Sequence, residues 1–193
     1  MKSRLLLLAL FVVALPRWSA AEGFISPILD TTVNSPSATA NRTSAGFGVA
    51  FGRLGKIVGT ESEVAYYPEL VGDPNSLVLK HRVFTFSQNF IVGPTIDRFK
   101  PYGDIGFGDL LLNVSSIASL AGVSTDGSSI FNNYFTINAG GGLMVFFTKN
   151  LGVRGDVRYF KAFGFDANSV ETGVLAINEF EFWRLSIGLA FKF

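Results

Sequence analysis

The chain has 193 residues, a formal net charge of +1, no cysteine and one histidine. This length suits one domain of ordinary size, and the balanced charge gives no overall attraction to nucleic acid. Without cysteine no disulfide framework can form, and one histidine leaves no transition-metal cluster. A hydrophobic fraction of 48% with 20 Phe and 21 Gly is high for a secreted soluble protein. Phenylalanine facing lipid and glycine facing a crowded interior would account for both.

The first 21 residues have the pattern of an export signal. Lys2 and Arg4 precede the apolar run 5 to 15, and small residues follow at 19 to 21. This order predicts a signal peptide over residues 1–21, cut before Glu22, and a mature domain over 22–193. The mature part contains no apolar stretch near the roughly 20 residues that a transmembrane helix needs. If it lies in a membrane, we expect it to cross with strands.

The final segment alternates strictly between apolar and polar or small residues. Its apolar face carries Trp183, Leu185, Ile187, Leu189, Phe191 and Phe193. The intervening positions carry Arg184, Ser186, Gly188, Ala190 and Lys192. Alternation with a period of two is typical of a strand whose two faces meet different surroundings. Its length and aromatic content favour a strand with lipid on one side.

The same pattern divides the mature chain into eight strands. They are predicted over residues 23–30, 44–53, 57–67, 79–93, 101–112, 132–147, 151–161 and 180–193. Short turns alternate with long loops over 31–43, 68–78, 113–131 and 162–179, which is typical of outer-membrane barrels. Strands in hydrocarbon must close, since lipid offers the backbone no hydrogen-bond partners. We therefore predict an all-β fold, an eight-stranded antiparallel transmembrane β-barrel with both termini in the periplasm.

The interior of such a barrel is nearly filled by side chains. Eight charged residues occupy the alternate strand positions whose side chains are expected to point into the barrel. These four acids and four bases are Glu61, Glu63, Asp104, Arg154, Asp156, Arg158, Arg184 and Lys192. They could line a narrow passive channel for small solutes. The favoured interpretation is a charge network that plugs the lumen, because unpaired buried charges are costly and paired ones specify register. Gln88, between Phe86 and Phe90 on the lipid face, does not fit the alternation.

Three segments resemble the last strands of the OmpA-like, outer membrane protein β-barrel family. These are Gly140 to Phe147, Leu151 to Phe160 and Phe182 to Phe193. The resemblance implies residence in outer-membrane lipid and recognition by the barrel-assembly machinery. The implied assembly signal consists of Ile187, Leu189, Phe191 and Phe193. Longer family members carry a peptidoglycan-binding domain after the barrel, which this sequence lacks, so cell-wall anchoring is not expected.

His81 begins the fourth strand near the loop end. Some barrels of similar size modify lipid A, and a base at His81 could activate Ser76 or Ser87, or act with Glu69. Nothing in the spacing specifies such a triad, so no enzyme is predicted. A lipid A-modifying enzyme that uses His81 at the outer rim is an alternative, after the narrow channel. The glycine string over 46–52 has no following helix or acidic partner, so no dinucleotide or other cofactor is expected.

The long loops are rich in Ser, Asn, Thr and Gly and carry more acid than base. Loops on a rigid scaffold commonly carry binding functions. The sequence therefore predicts a structural or surface-interaction role, with a possible extracellular ligand at the four loops and no nucleic acid partner.

Overall fold

A computed structural model describes residues 21–33, 43–68, 79–116, 130–163 and 179–193. The predicted signal peptide up to residue 20 and most of the four long loops lie outside these ranges. Within them the regular structure consists of strands. No helix in the described ranges is long and apolar enough to cross a membrane.

Eight strands form one closed antiparallel barrel, which confirms the predicted fold class. In chain order they are β1 (Glu22–Val33), β2 (Ala45–Leu54), β3 (Val58–Tyr67), β4 (Leu79–Val92), β5 (Phe99–Ser116), β6 (Ile130–Phe146), β7 (Leu151–Phe163) and β8 (Glu179–Lys192). Each strand pairs with its sequence neighbours, and β8 pairs with β1. Gly23 and Phe193 exchange two backbone hydrogen bonds of 2.9 Å at this junction, so the sheet has no free edge there.

The strand ends follow backbone pairing rather than hydropathy. The ladder between β5 and β6 continues to Val114 opposite Ile130, beyond the apolar alternation. β5 therefore extends to Ser116, and the loop predicted over 113–131 is shorter than its sequence pattern indicated. The short turns 55–57, 93–98 and 147–150 lie at one end of the barrel, together with Glu22 and Lys192. We call this the turn end and the opposite one the loop end.

The outward face is apolar over the barrel wall. Leu29, Ile105 and Ile187 each expose more than six tenths of their surface. Aromatic contacts join Tyr159 to Trp183, with ring centroids 5.2 Å apart. Such a largely apolar outer surface is unfavourable in water and is typical of a wall that faces lipid.

Two apolar clusters fill the barrel interior near its ends. The upper apolar layer, toward the loop end, consists of Ala65, Tyr67, Val83, Leu110, Phe160, Ala162 and Phe182. The lower apolar layer, toward the turn end, consists of Phe24, Leu54, Ile91, Tyr102, Met144, Phe146 and Ala190. In the upper layer Phe160 stacks on Phe182 at 5.0 Å with nearly parallel rings. Charged side chains lie between the two layers.

Candidate functional site

Strand β7 supplies three charged side chains to the interior. Arg154, Asp156 and Arg158 occupy alternate positions, so the pleat directs them to one face, while Val157 points to the opposite face. All three charged residues are buried, and Val157 is exposed. The sequence-predicted inward parity of this triplet agrees with their burial.

Arg158 contacts three carboxylates across the lumen. Its Nη2 donates to Glu61 Oε1 at 2.7 Å, and its Nη1 donates to Glu63 Oε2 at 2.9 Å. Its Nε donates to Asp104 Oδ2 at 2.9 Å. These acids belong to β3 and β5, which do not adjoin β7 in the sheet. The guanidinium thus ties opposite walls of the barrel together, and its rigid fork suits several oxygen partners.

The other two arginines extend this network. Arg154 Nη1 donates to Glu61 Oε2 at 2.6 Å, and its Nη2 donates to Asp156 Oδ2 at 2.9 Å and to the Tyr102 hydroxyl at 3.0 Å. Arg184 binds both oxygens of Glu63 through Nη1 and Nη2, the second at 2.9 Å. Seven of the eight predicted charged residues therefore form one connected cluster, which we call the charge network.

Lys192 lies apart from the charge network. It is near the turn end, where its Nζ is 2.9 Å from Glu22 Oε2 and 4.2 Å from the centre of the Phe146 ring. Its side chain faces inward as predicted, but the alternation does not specify how far along the barrel axis a residue lies. The predicted set of four acids and four bases is therefore not the set that the structure brings together.

Asp30 is the eighth member of the charge network, and the alternation pattern did not identify it. Its Oδ2 accepts from the Tyr67 hydroxyl at 3.1 Å and its Oδ1 from Ser186 Oγ at 2.6 Å. Arg184 Nε lies 3.8 Å from Oδ1. Asp30 is the last residue of the predicted first strand, where the alternation does not assign its side chain to a face. Its alternation with Ile28 is the signal that could have found it.

Lys100 is a second buried charge that the alternation pattern did not identify. It lies between two predicted strands, 79–93 and 101–112, yet it is only 2% exposed. Its Nζ donates to the backbone oxygens of Gly55 at 3.0 Å and Gly93 at 3.2 Å, and to Thr95 Oγ1 at 3.1 Å. This lysine connects two of the short turns and helps to close the turn end.

The residues considered for catalysis do not form a described triad. His81 lies in β4 opposite Val114, but its side chain, Ser76 and Glu69 lie outside the described parts of the chain. Ser87 is buried in the interior, where its Oγ accepts a 3.4 Å hydrogen bond from Asn89 Nδ2.

Gln88 has a partner on the outward face. Its Oε1 accepts a 2.6 Å hydrogen bond from Ser62 Oγ on β3. The β3–β4 ladder runs through this pair without interruption, so no bulge or register error is needed to explain Gln88. Because the two polar side chains hydrogen-bond to each other, the free-energy cost of placing either of them against lipid is lower.

The implied assembly residues share the outward face of β8. Ile187, Leu189, Phe191 and Phe193 are all exposed hydrophobic side chains. Their recognition by the assembly machinery stays a prediction.

Comparison with known proteins gives a family match over residues 5–193, to the outer membrane protein beta-barrel domain. No curated protein matches the sequence. Neisserial surface protein A is similar in structure, with a TM-score of 0.61, 16% identity, and coverage of 89% of this chain and 97% of that one. Ail of Yersinia pestis, solved with the heparin analogue sucrose octasulfate, has a TM-score of 0.57 and 16% identity, and the match covers 90% of this chain and 99% of that one. OprG from Pseudomonas aeruginosa has a TM-score of 0.55 and 13% identity, and the match covers 90% of this chain and 96% of that one. At these identities the likeness concerns the fold alone.

Proposed function

Because the chain belongs to the outer membrane protein beta-barrel family and resides in a bacterial outer membrane, we propose that it is a barrel with a closed lumen. Its role is then structural or exerted at the cell surface through its long loops, and it is neither a channel nor an enzyme. The proposed topology places both termini and the short turns in the periplasm, with residues 1–21 removed on export and 22–193 forming the barrel.

The observation that carries this proposal is the layered interior. The charge network is covered on the loop side by the upper apolar layer and on the turn side by the lower apolar layer. An ion entering from either end must first displace apolar side chains, which offer no substitute for its hydration shell. It must then part buried ion pairs, and removing one partner from such a pair costs about 3 to 5 kcal/mol.

The long loops supply the surface on which an interaction would occur. Their sequences carry more acid than base, with Glu69, Asp73, Asp126, Asp166 and Glu171 among the acids. Such loops would repel a polyanion like the sucrose octasulfate bound to Ail. We therefore expect a neutral or cationic extracellular ligand. Outer-membrane lipid and the barrel-assembly machinery are the other proposed partners.

Planar-bilayer recording tests the closed lumen against the narrow channel. The purified barrel should insert without steady conductance at moderate voltage. A reproducible ohmic conductance that scales with the number of inserted molecules would reject the closed lumen and support the channel. Mass spectrometry of lipid A from expressing cells tests the enzymatic alternative at His81, and we expect an unchanged spectrum.

A further inference from the structure

The charge network has more acids than bases in the described interior. Its five carboxylates are Asp30, Glu61, Glu63, Asp104 and Asp156, and its three guanidiniums are Arg154, Arg158 and Arg184. Lys100 and Lys192 do not compensate them, because they bind turn oxygens and Glu22 at the turn end. Excess buried charge is costly unless a counter-charge accompanies it. In the proposed closed lumen the two apolar layers separate this excess from the ions of bulk water, so a counter-ion has to be enclosed when the barrel folds.

Five side chains in or beside the charge network have atoms without hydrogen-bond partners among the described residues. Two of these atoms, Asp156 Oδ1 and Arg184 Nε, still have an opposite charge at 3.3 and 3.8 Å. The atoms on the remaining three residues are Oδ1 of Asn89, Oδ1 of Asp104 and both amide atoms of Asn138. The three residues are 2%, 7% and 3% exposed, so solvent at the barrel surface does not reach them freely. Buried polar atoms in proteins are nearly always paired, and such a group of unpaired atoms indicates a place for a small guest.

The two amides lie over one side-chain-free position. Gly106 pairs with Asn89 on one side and with Asn138 on the other. A Cβ built on Gly106 would collide with Asn89 Oδ1 and lie 2.9 Å from Asn138 Nδ2, so both amides reach over the glycine. Asp104 lies two residues away on the same face of β5, about 7 Å along the strand. Turning the Asn138 amide by half a turn brings its oxygen to this place and breaks no hydrogen bond.

We propose that Asn89, Asp104 and Asn138 hold a small monovalent cation, which offsets part of the negative excess of the charge network. Carboxylate and amide oxygens are the ligands that hard cations prefer. No group of three or more His, Cys, Asp or Glu side chains suited to a metal ion occurs in the described ranges. A ligand set with one carboxylate and two amides favours a singly charged ion over a divalent one. The site goes beyond the proposed closed lumen, because it assigns the interior a resident counter-ion.

Thermal unfolding of the detergent-folded barrel tests this site with sodium as the probe. The barrel is folded either in sodium chloride or in N-methyl-D-glucamine chloride at the same ionic strength, so that a small cation is present during folding in only one of the two samples. A bound ion raises the Tm of the wild type by a roughly constant step for each tenfold rise in sodium above its dissociation constant. Asp104→Asn and Asn138→Leu should lose this dependence. Gln88→Leu, which removes an outward amide adjacent to Asn89, should keep it.

Two results would overturn the site. One is the same sodium dependence in the wild type and both interior variants, which would be a general salt effect. The other is a wild-type Tm that does not change with sodium but changes with pH, together with loss of that pH dependence in Asp104→Asn. A bound proton would then be the counter-charge. Crystals of wild-type protein that was folded in thallium(I) in place of sodium make the test independent of variant folding. An anomalous peak beside Asn138 supports the proposal, and water density alone contradicts it.

Discussion

Replacing Arg158 by alanine should destabilise the barrel by about 3 to 5 kcal/mol. Arg158 pairs with Glu61, Glu63 and Asp104 across the lumen and with Asp156 on its own strand at 3.3 Å, and its removal affects these four carboxylates unequally. Asp156 keeps its 2.9 Å ion pair with Arg154. Glu61 keeps its 2.6 Å ion pair with Arg154, and Glu63 keeps its contacts with Arg184. Asp104 loses its described ion-pair partner while staying buried. The expected loss therefore corresponds to one uncompensated carboxylate rather than four.

Equilibrium urea unfolding in liposomes, followed by tryptophan fluorescence, measures this loss. Val157→Ala is the matched control, because Val157 adjoins Arg158 on β7 and points to lipid; its trimming should cost about 1 kcal/mol or less. The double variant Arg158→Ala with Asp104→Asn should recover part of the lost free energy of unfolding, because it no longer contains the unpaired Asp104 carboxylate. If Arg158→Ala unfolds within 1 kcal/mol of wild type, or if Val157→Ala costs as much, the network does not stabilise the barrel as described.

The fold and its packing make three further predictions. The folded protein should migrate differently on a gel before and after boiling, because detergent alone leaves the closed ladder intact; equal migration of a folded sample would argue against closure. Deleting Phe193, whose backbone pairs with Gly23 at the β1–β8 junction, should lower outer-membrane insertion without blocking export, whereas normal surface levels would remove Phe193 from the assembly signal. Gly108→Ala should cost about 1 to 3 kcal/mol in urea unfolding, because its Cβ would collide with the Phe86 carbonyl oxygen, while Gly155→Ala, whose nearest contact is 3.7 Å away, should be tolerated.

Much of the barrel could be predicted because its signals are local. Alternation with a period of two assigns each residue to a face without reference to other strands. Arg154, Asp156 and Arg158 were placed inward for this reason, and the structure buries all three. The number of strands followed from the same alternation, together with the contrast between short turns and long loops.

The partners in the charge network could not be predicted because they depend on non-local geometry. Glu61 and Arg154 are 93 positions apart in sequence and lie on strands that do not pair. Which side chains meet across the lumen depends on the tilt and stagger of the strands, and parity contains no information on depth. Lys192 shows the consequence, because it has the correct face but lies at the turn end. Asp30 was missed because hydropathy did not define the end of β1.

Thiol accessibility tests the closed lumen most directly, because the chain has no cysteine and each introduced thiol is therefore unique. Ser87→Cys places a thiol in the interior between the two apolar layers, and Lys149→Cys places one in an exposed turn. A small charged methanethiosulfonate reagent should label the turn cysteine of the folded protein in permeabilised liposomes. The Ser87→Cys variant should stay unlabelled until urea unfolds the barrel. Labelling of folded Ser87→Cys at a rate close to that of Lys149→Cys would show that water and ions reach the interior, and would contradict the closed lumen.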